Sequence, residues 1–212
     1  MKKHFYIILT TLYSCTNSFQ LKEGDILFQD LDSSPLCDAI ELVTPGYSEG
    51  NFSHIGFVIY DSLKLKVVEA IPPKVTLTEL DDFLNRSKDK NANPKVIVGR
   101  LKEEYKDAIP NAVKFAKKKI GIDYDNNFIL NNNKYYCSEL IYDMFLKSSI
   151  FNLQPMTFLH PETKDTITAW KDHYSKLGMQ IPQNKPGINP GSMSLSKKIN
   201  IVHVYGIPDG MK

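Results

Sequence analysis

A cysteine at the first turn of an amphipathic helix constrains this chain more than any other feature. The stretch from Lys134 to Lys147 contains Tyr135, Tyr136, Cys137, Ser138 and Glu139, followed by Leu140, Ile141, Met144 and Phe145 at the three- and four-residue spacing of one buried stripe. Three consecutive asparagines, Asn131 to Asn133, disfavour regular structure just upstream, so the helix is expected to start near Cys137. There the unpaired amides and the positive end of the helix dipole favour a thiolate over a thiol. Free cysteines are also among the most buried residue types, so position alone leaves a packed core residue as the alternative. A nucleophile needs a base.

The best candidate base is His54, and spacing supplies it with a partner. Ser53 to Tyr60 and Leu63 to Ala70 read as two strands of a hairpin around Asp61-Ser62. With that two-residue loop, His54 lies directly opposite Glu69; with a four-residue loop, Asp61 to Lys64, Glu69 is diagonal to His54 on the same face. In either register a carboxylate can orient the ring and favour its protonated form, although spacing does not say which ring nitrogen it meets. The bland alternatives are a packed strand histidine and a solvated carboxylate at a strand end. His203, in a strand expected over Ile199 to Tyr205, has no acidic neighbour before Asp209. His160 precedes Pro161 in a loop, His173 lies in a polar helical stretch, and His4 lies in the leader-like segment.

Composition sets the class. The chain has 212 residues, 42% hydrophobic and 24% charged, which suits one soluble globular domain over residues 21–212. Setting aside Lys2 and Lys3, its 26 basic residues fall to 24 against 24 acidic ones, so electrostatics make no case for nucleic acid. Lys117 to Lys119 read as the cation-favouring end of a helix.

Residues 1–20 carry a separate signal. Lys2 and Lys3 precede the apolar run Phe5 to Leu9, with Leu12 and Tyr13 beyond, too short for a bilayer span and of signal-peptide length. Leu12-Tyr13-Ser14-Cys15 resembles a bacterial lipobox, apart from the bulk of Tyr13. The expectation is an exported protein in the cell envelope, lipid-anchored through Cys15 after cleavage; an ordinary cleaved signal peptide is the alternative. With Cys15 acylated, Cys37 and Cys137 remain. Cys37 borders the apolar face of a helix expected over residues 35 to 43, behind Ser34 and Pro35, where a small core or boundary role suits it better than a disulfide. No closely spaced cysteines exist to hold zinc.

Five motifs in order then resemble a known family: Gly24-Asp25-Ile26-Leu27-Phe28; Ser53-His54-Ile55-Gly56; Val68-Glu69-Ala70; Gly121-Ile122-Asp123-Tyr124-Asp125 with Phe128; and Tyr135-Tyr136-Cys137-Ser138-Glu139-Leu140. They resemble the YiiX-like branch of the NlpC-type cysteine hydrolases, which have an α+β, circularly permuted papain-like fold. The histidine and acid come before the cysteine, as in the permuted order. The resemblance runs from about Gly24 to the C-terminus and includes a Pro/Gly-rich loop, Lys185 to Gly191. It implies an antiparallel sheet or barrel with the cysteine-bearing helix packed on it, Cys137 as nucleophile, His54 as base and Glu69 as its orienting acid. It also implies that Tyr124, otherwise a structural tyrosine, stands near the site as an oxyanion donor. The backbone amide of Cys137 is an independent donor candidate.

The activity implied is hydrolysis of an amide or related acyl bond through a Cys thioester, with no metal or organic cofactor required. Peptide, N-acyl and lipid-derived envelope substrates remain open. So do an acyltransferase resembling the lecithin retinol type and a non-catalytic binding protein. The segment from Phe151 to Ser196 is expected to wall the substrate cleft rather than form a second domain.

Overall fold

The computed structural model describes residues 19–212; the leader-like segment and Cys15 lie outside the described residues. In chain order the elements are β1 (Ile26–Gln29), α1 (Pro35–Val43), β2 (His54–Asp61), β3 (Lys64–Ile71), β4 (Lys74–Glu79), α2 (Leu80–Leu84), β5 (Val96–Leu101), α3 (Ile109–Lys119), α4 (Cys137–Met144), β6 (Gln154–Pro155), α5 (Thr168–Leu177), β7 (Pro186–Gly187), α6 (Pro190–Ser194) and β8 (Ile199–Val204). Eight of these form two sheets: six strands in the order β4-β3-β2-β1-β5-β8, and the short pair β6-β7. Neighbours in the large sheet run antiparallel, and β4 and β8 are its edges, so it is open rather than closed into a barrel.

Strand alternation divides the apolar residues between the two faces. Ile26, Phe28, Ile55, Phe57, Val68 and Ala70 join Ala112 and Ala116 of α3 and Leu140 and Ile141 of α4 in the main core. Leu27, Val58, Val67, Val96 and Val98 face the other way and are covered by Phe83 and Leu84 of α2. A third cluster, Ala39, Phe158, Trp170 and Tyr174, forms where α1 and α5 meet away from the sheet.

The expected elements are present, with two adjustments. Helix α4 begins at Cys137 but stops at Met144, because Phe145 leaves helical backbone and the chain tightens into a 3-10 turn over Leu146–Ser148. In the β2–β3 hairpin Asp61 pairs with Lys64 and Phe57 with Val68, so the two-residue loop is Ser62-Leu63 rather than Asp61-Ser62. Ser62 supplies the positive φ, 58°, that this turn requires. The direct His54–Glu69 register is therefore corrected to the diagonal one, with both side chains still on one side of the sheet. Glu69 lies inside a paired strand, since β3 continues to Ile71 and pairs with β4 from Lys66 to Ile71.

Candidate active site

His54 is the first residue of β2 and sits at the end of the sheet, where the start of α4 comes against the strand. Ser53, just before it, ties the strand entrance to Leu31: the Leu31 N–H donates to Ser53 Oγ at 3.0 Å, and that hydroxyl donates to the Leu31 carbonyl at 3.1 Å. The Cys137 Sγ lies 3.9 Å from the Ser53 carbonyl oxygen. His54 Nε2 is 2.6 Å from Glu69 Oε2, and the ring also makes a hydrogen-bonding contact with Cys137. Nε2 is the ring nitrogen that meets Glu69.

Glu69 is fully buried, and three side chains satisfy it. Besides His54, Arg86 donates from Nη1 to Oε2 at 2.6 Å and from Nη2 to Oε1 at 2.5 Å, and the Thr78 hydroxyl donates to Oε1. Burial alone would raise this carboxyl, but the Arg86 and His54 hydrogen bonds carry it from 4.5 down to about 2. For His54, burial would lower the imidazole; its contacts with Cys137 and Glu69 instead lift it from 6.5 to about 9. At neutral pH the arrangement is a carboxylate, an imidazolium and a sulfur in sequence.

Tyr124 lines the same cleft as His54 and Cys137. Its N–H donates to the Pro73 carbonyl at 2.9 Å, and it bridges in parallel to Tyr135, two residues ahead of the cysteine. Burial, reinforced by the neighbouring Cys137, holds the phenol well above its ordinary value, so it keeps a proton to donate. Asp125, also from that motif, shapes the loop: its carboxylate accepts the N–H groups of Asn127 at 2.9 Å and Ile129 at 2.8 Å.

The other sequence candidates fall elsewhere or take other parts. His203 stacks on Phe19 with ring centroids 4.1 Å apart, on edge strand β8. His160 caps its own loop, accepting from Glu162 and Thr163. His173 does reach the cleft wall, where Nε2 donates to the Asn126 carbonyl at 2.7 Å. Cys37 is a free thiol, as is Cys137, and it lines the cleft as well. Gln154 to Phe158, Trp170 and Gly187 to Pro190 also line the cleft, and Ser138 Oγ donates to the Ile188 carbonyl at 2.8 Å, joining the Pro/Gly-rich loop to α4.

Sequence reasoning missed Arg86. One signal was available: of the 26 cationic residues only Arg86 and Arg100 are arginines. Both grip a buried carboxylate with two nitrogens, Arg100 holding Asp25 through Nε and Nη2 at 2.7 Å each. A chain that otherwise uses lysine places arginine where a planar fork is needed.

The description of one protein-family model, a permuted papain-like amidase enzyme of the YaeF/YiiX type, matches residues 20–203. The chain is 28% identical over 192 residues to the uncharacterized protein YiiX of Escherichia coli strain K12, covering 89% of each. Its fold is similar to the crystal structure of metalloprotein YiiX from Escherichia coli O157:H7, with a TM-score of 0.72 at 22% identity, over 89% of this chain and 99% of that one. The family match spans most of the chain and includes the motifs of the cysteine, histidine and acid, so this chain belongs to the YaeF/YiiX family of permuted papain-like amidases.

Proposed function

We propose that the protein is a cysteine hydrolase that cleaves an amide or related acyl bond through a thioester on Cys137. The observation that carries this reading is His54, held between Glu69 at 2.6 Å and the Cys137 sulfur. The thiolate attacks the carbonyl carbon, and the C–N or C–O bond to the leaving group then breaks as His54 gives that group its ring proton. His54 next takes a proton from water, whose oxygen adds to the acyl carbon; the C–S bond breaks and a carboxylic acid leaves. Glu69 keeps the ring oriented throughout. The Cys137 amide at the helix start and the Tyr124 hydroxyl are the donors we assign to the oxyanion.

The YiiX crystal structure is that of a metalloprotein. Among the described residues, the group with metal-ligand spacing is Asp30, Asp32 and Asp209. The Lys95 ammonium already lies among the three carboxylates, at 3.1, 2.5 and 3.2 Å. A resident ammonium supplies the positive charge there, so these residues do not fit a divalent ion, and no step of the mechanism passes through one.

Intact-mass measurement after incubation with cell-envelope extract tests the chemistry. An acyl adduct on Cys137 that is absent from Cys137→Ser is expected; adducts equally frequent in both would overturn the assignment. The envelope location is likewise our proposal and rests on the residues ahead of Cys15. No helix among the described residues is long and apolar enough to cross a membrane. Cys15→Ser should move the protein from the membrane fraction to a soluble or uncleaved form, and unchanged fractionation and mass would remove the lipid anchor from this account.

A further inference from the structure

Strand β8 is an edge of the large sheet without the usual protection. Edge strands present unpaired backbone groups, and charged side chains along them commonly keep other surfaces away. The opposite edge, β4, starts at Lys74 and ends at Glu79. The run from Ile199 to Pro208, by contrast, contains no Asp, Glu, Lys or Arg; charge returns only at Lys197 and Lys198 before it and Asp209 after it. Three aliphatic side chains of this run reach solvent: Val202 at 36%, Val204 at 37% and Ile207 at 57% exposed. Among the described residues no strand pairs with the outer side of β8.

Phe19 is fixed to this same strand. Its ring stacks on His203 at a centroid distance of 4.1 Å and meets Tyr205 edge-on at 6.3 Å. The Arg100 guanidinium carbon lies 5.6 Å from the Phe19 ring, Nη2 of Arg100 donates to the Gln20 carbonyl at 3.1 Å, and Asp25 holds that guanidinium in turn. Val204, between His203 and Tyr205, points to the other side of the strand, so the edge is apolar on both sides. Cys15 is four residues ahead of Phe19, and a fully extended chain of that length spans only about 14 Å. With an acyl group of Cys15 in the hydrocarbon, the polar layer above it takes up about 5 to 8 Å. Phe19 therefore comes no more than roughly 10 Å beyond the headgroups.

We propose that the β8 edge, with Val202, Val204 and Ile207, lies against the headgroup surface of the membrane that holds Cys15. The proposal rests on the lipid-anchor reading above and adds an orientation to it: the acyl group supplies attachment, and the edge decides which side of the domain faces the bilayer. Exposed aliphatic side chains lose water at such an interface, and the unpaired backbone groups of the edge keep hydrogen-bonding partners in its hydrated headgroups. Lys197, exposed just ahead of the strand, carries the charge that anionic headgroups attract. Asp209, at the far end, is already paired with Lys95 at 3.2 Å.

The test places the full chain, extracted from membranes, in vesicles of phosphatidylethanolamine and phosphatidylglycerol, with and without a lipid bearing a nitroxide on its headgroup. Reporters are Val204→Trp, Ile207→Trp and, as the control, Leu63→Trp at the exposed β2–β3 turn; β3 lies four strands from β8, about 19 Å across the sheet. Trp170, 4% exposed, is a common background. The nitroxide lipid should remove at least half of the emission added at 204 and 207 and less than a tenth of that added at 63. Equal quenching at 63 and 204, in protein whose intact mass carries lipid on Cys15, would overturn the orientation and leave the anchor standing. Membrane-extracted protein without that mass increment would remove the anchor, and this surface with it. A reporter at 204 shielded from the nitroxide in a chain that sediments as a dimer would give the edge to a second copy instead. The second measurement needs no new side chain: amide hydrogen exchange over residues 199–207 should be at least threefold slower in the vesicle-bound chain than in soluble Cys15→Ser, with residues 61–66 unchanged. Equal exchange over 199–207 in the two would overturn the proposal.

Discussion

The guanidinium of Arg86 holds both carboxylate oxygens of Glu69, at 2.6 and 2.5 Å, and the same Oε2 receives Nε2 of His54 at 2.6 Å. One anion thus serves two cations, and its position is set by the rigid fork of the arginine rather than by the histidine it orients. The fork is steadied in turn by Phe83, whose ring lies 5.4 Å from the guanidinium carbon and 5.8 Å from the His54 ring. Arg86 follows α2 closely, and α2 is tied to β1 because Gln29 Nε2 donates to the Phe83 carbonyl at 2.8 Å. The orientation of the imidazole therefore depends on how α2 docks on the sheet.

Removing Arg86 should damage stability and catalysis together. Arg86→Gln leaves a buried carboxylate short of its strongest partner, a loss on the order of 3 kcal/mol in urea unfolding, with turnover falling about tenfold or more. The depressed Glu69 carboxyl contributes stability that is present above its ordinary 4.5 and lost as pH falls through about 2. In Arg86→Gln the acid unfolding midpoint should accordingly move to higher pH. An unchanged midpoint would show that Arg86 is an ornament on the carboxylate.

Glu69→Gln keeps the shape of the site and removes its charge. His54, lifted from 6.5 to about 9, is charged below its ordinary value and loses the proton as pH rises through about 9, so turnover that needs the imidazolium should fall on that alkaline limb. In Glu69→Gln the limb should shift to lower pH and turnover should drop, with less loss than His54→Ala, which should cost on the order of a thousandfold or more. A pH–rate profile that coincides with wild type would reduce Glu69 to a packing role.

A thiol alkylating reagent should label Cys137 before Cys37, and His54→Ala should abolish most of the difference. Exposure does not supply the contrast, since Cys137 is 6% and Cys37 8% exposed. The Cys37 sulfur meets hydroxyls, Ser33 Oγ at 3.4 Å and Ser34 Oγ at 3.6 Å, whereas Cys137 is in contact with the imidazolium of His54. Labelling at equal rates, measured by peptide mass mapping, would remove the activating role of His54 from the account.

Two buried carboxyls predict a separate pH effect. Burial raises Glu41 in α1 and Glu139 in α4 from 4.5 to about 8 each, and each has one carboxyl oxygen with no partner. A raised carboxyl favours the folded state fully below 4.5, and that contribution is lost as pH rises through about 8. Stability should decline across this interval in wild type and decline less in Glu41→Gln with Glu139→Gln, as denaturant melts at pH 5 and pH 8 would report. Equal slopes would show that both carboxyls find partners when ionised.

Local pattern carried a good deal of this protein. The start of α4 at Cys137, the strands around His54 and Glu69, and the placing of these two side chains on one face follow from residue periodicity, which needs no knowledge of distant segments. Motif order also pointed to the permuted fold. The hairpin register was not legible, because a one-pair shift of the turn onto Ser62-Leu63 depends on which residue takes the left-handed position. Tertiary structure decided the rest. Arg86 meets Glu69 only because α2 folds back over the sheet, and Cys37 joins Cys137 in one cleft only because α1 faces α5 and the 154–158 segment. These relationships come from the packing of apolar surfaces far apart in the chain. Sequence spacing records which surfaces are apolar; it does not record which of them meet.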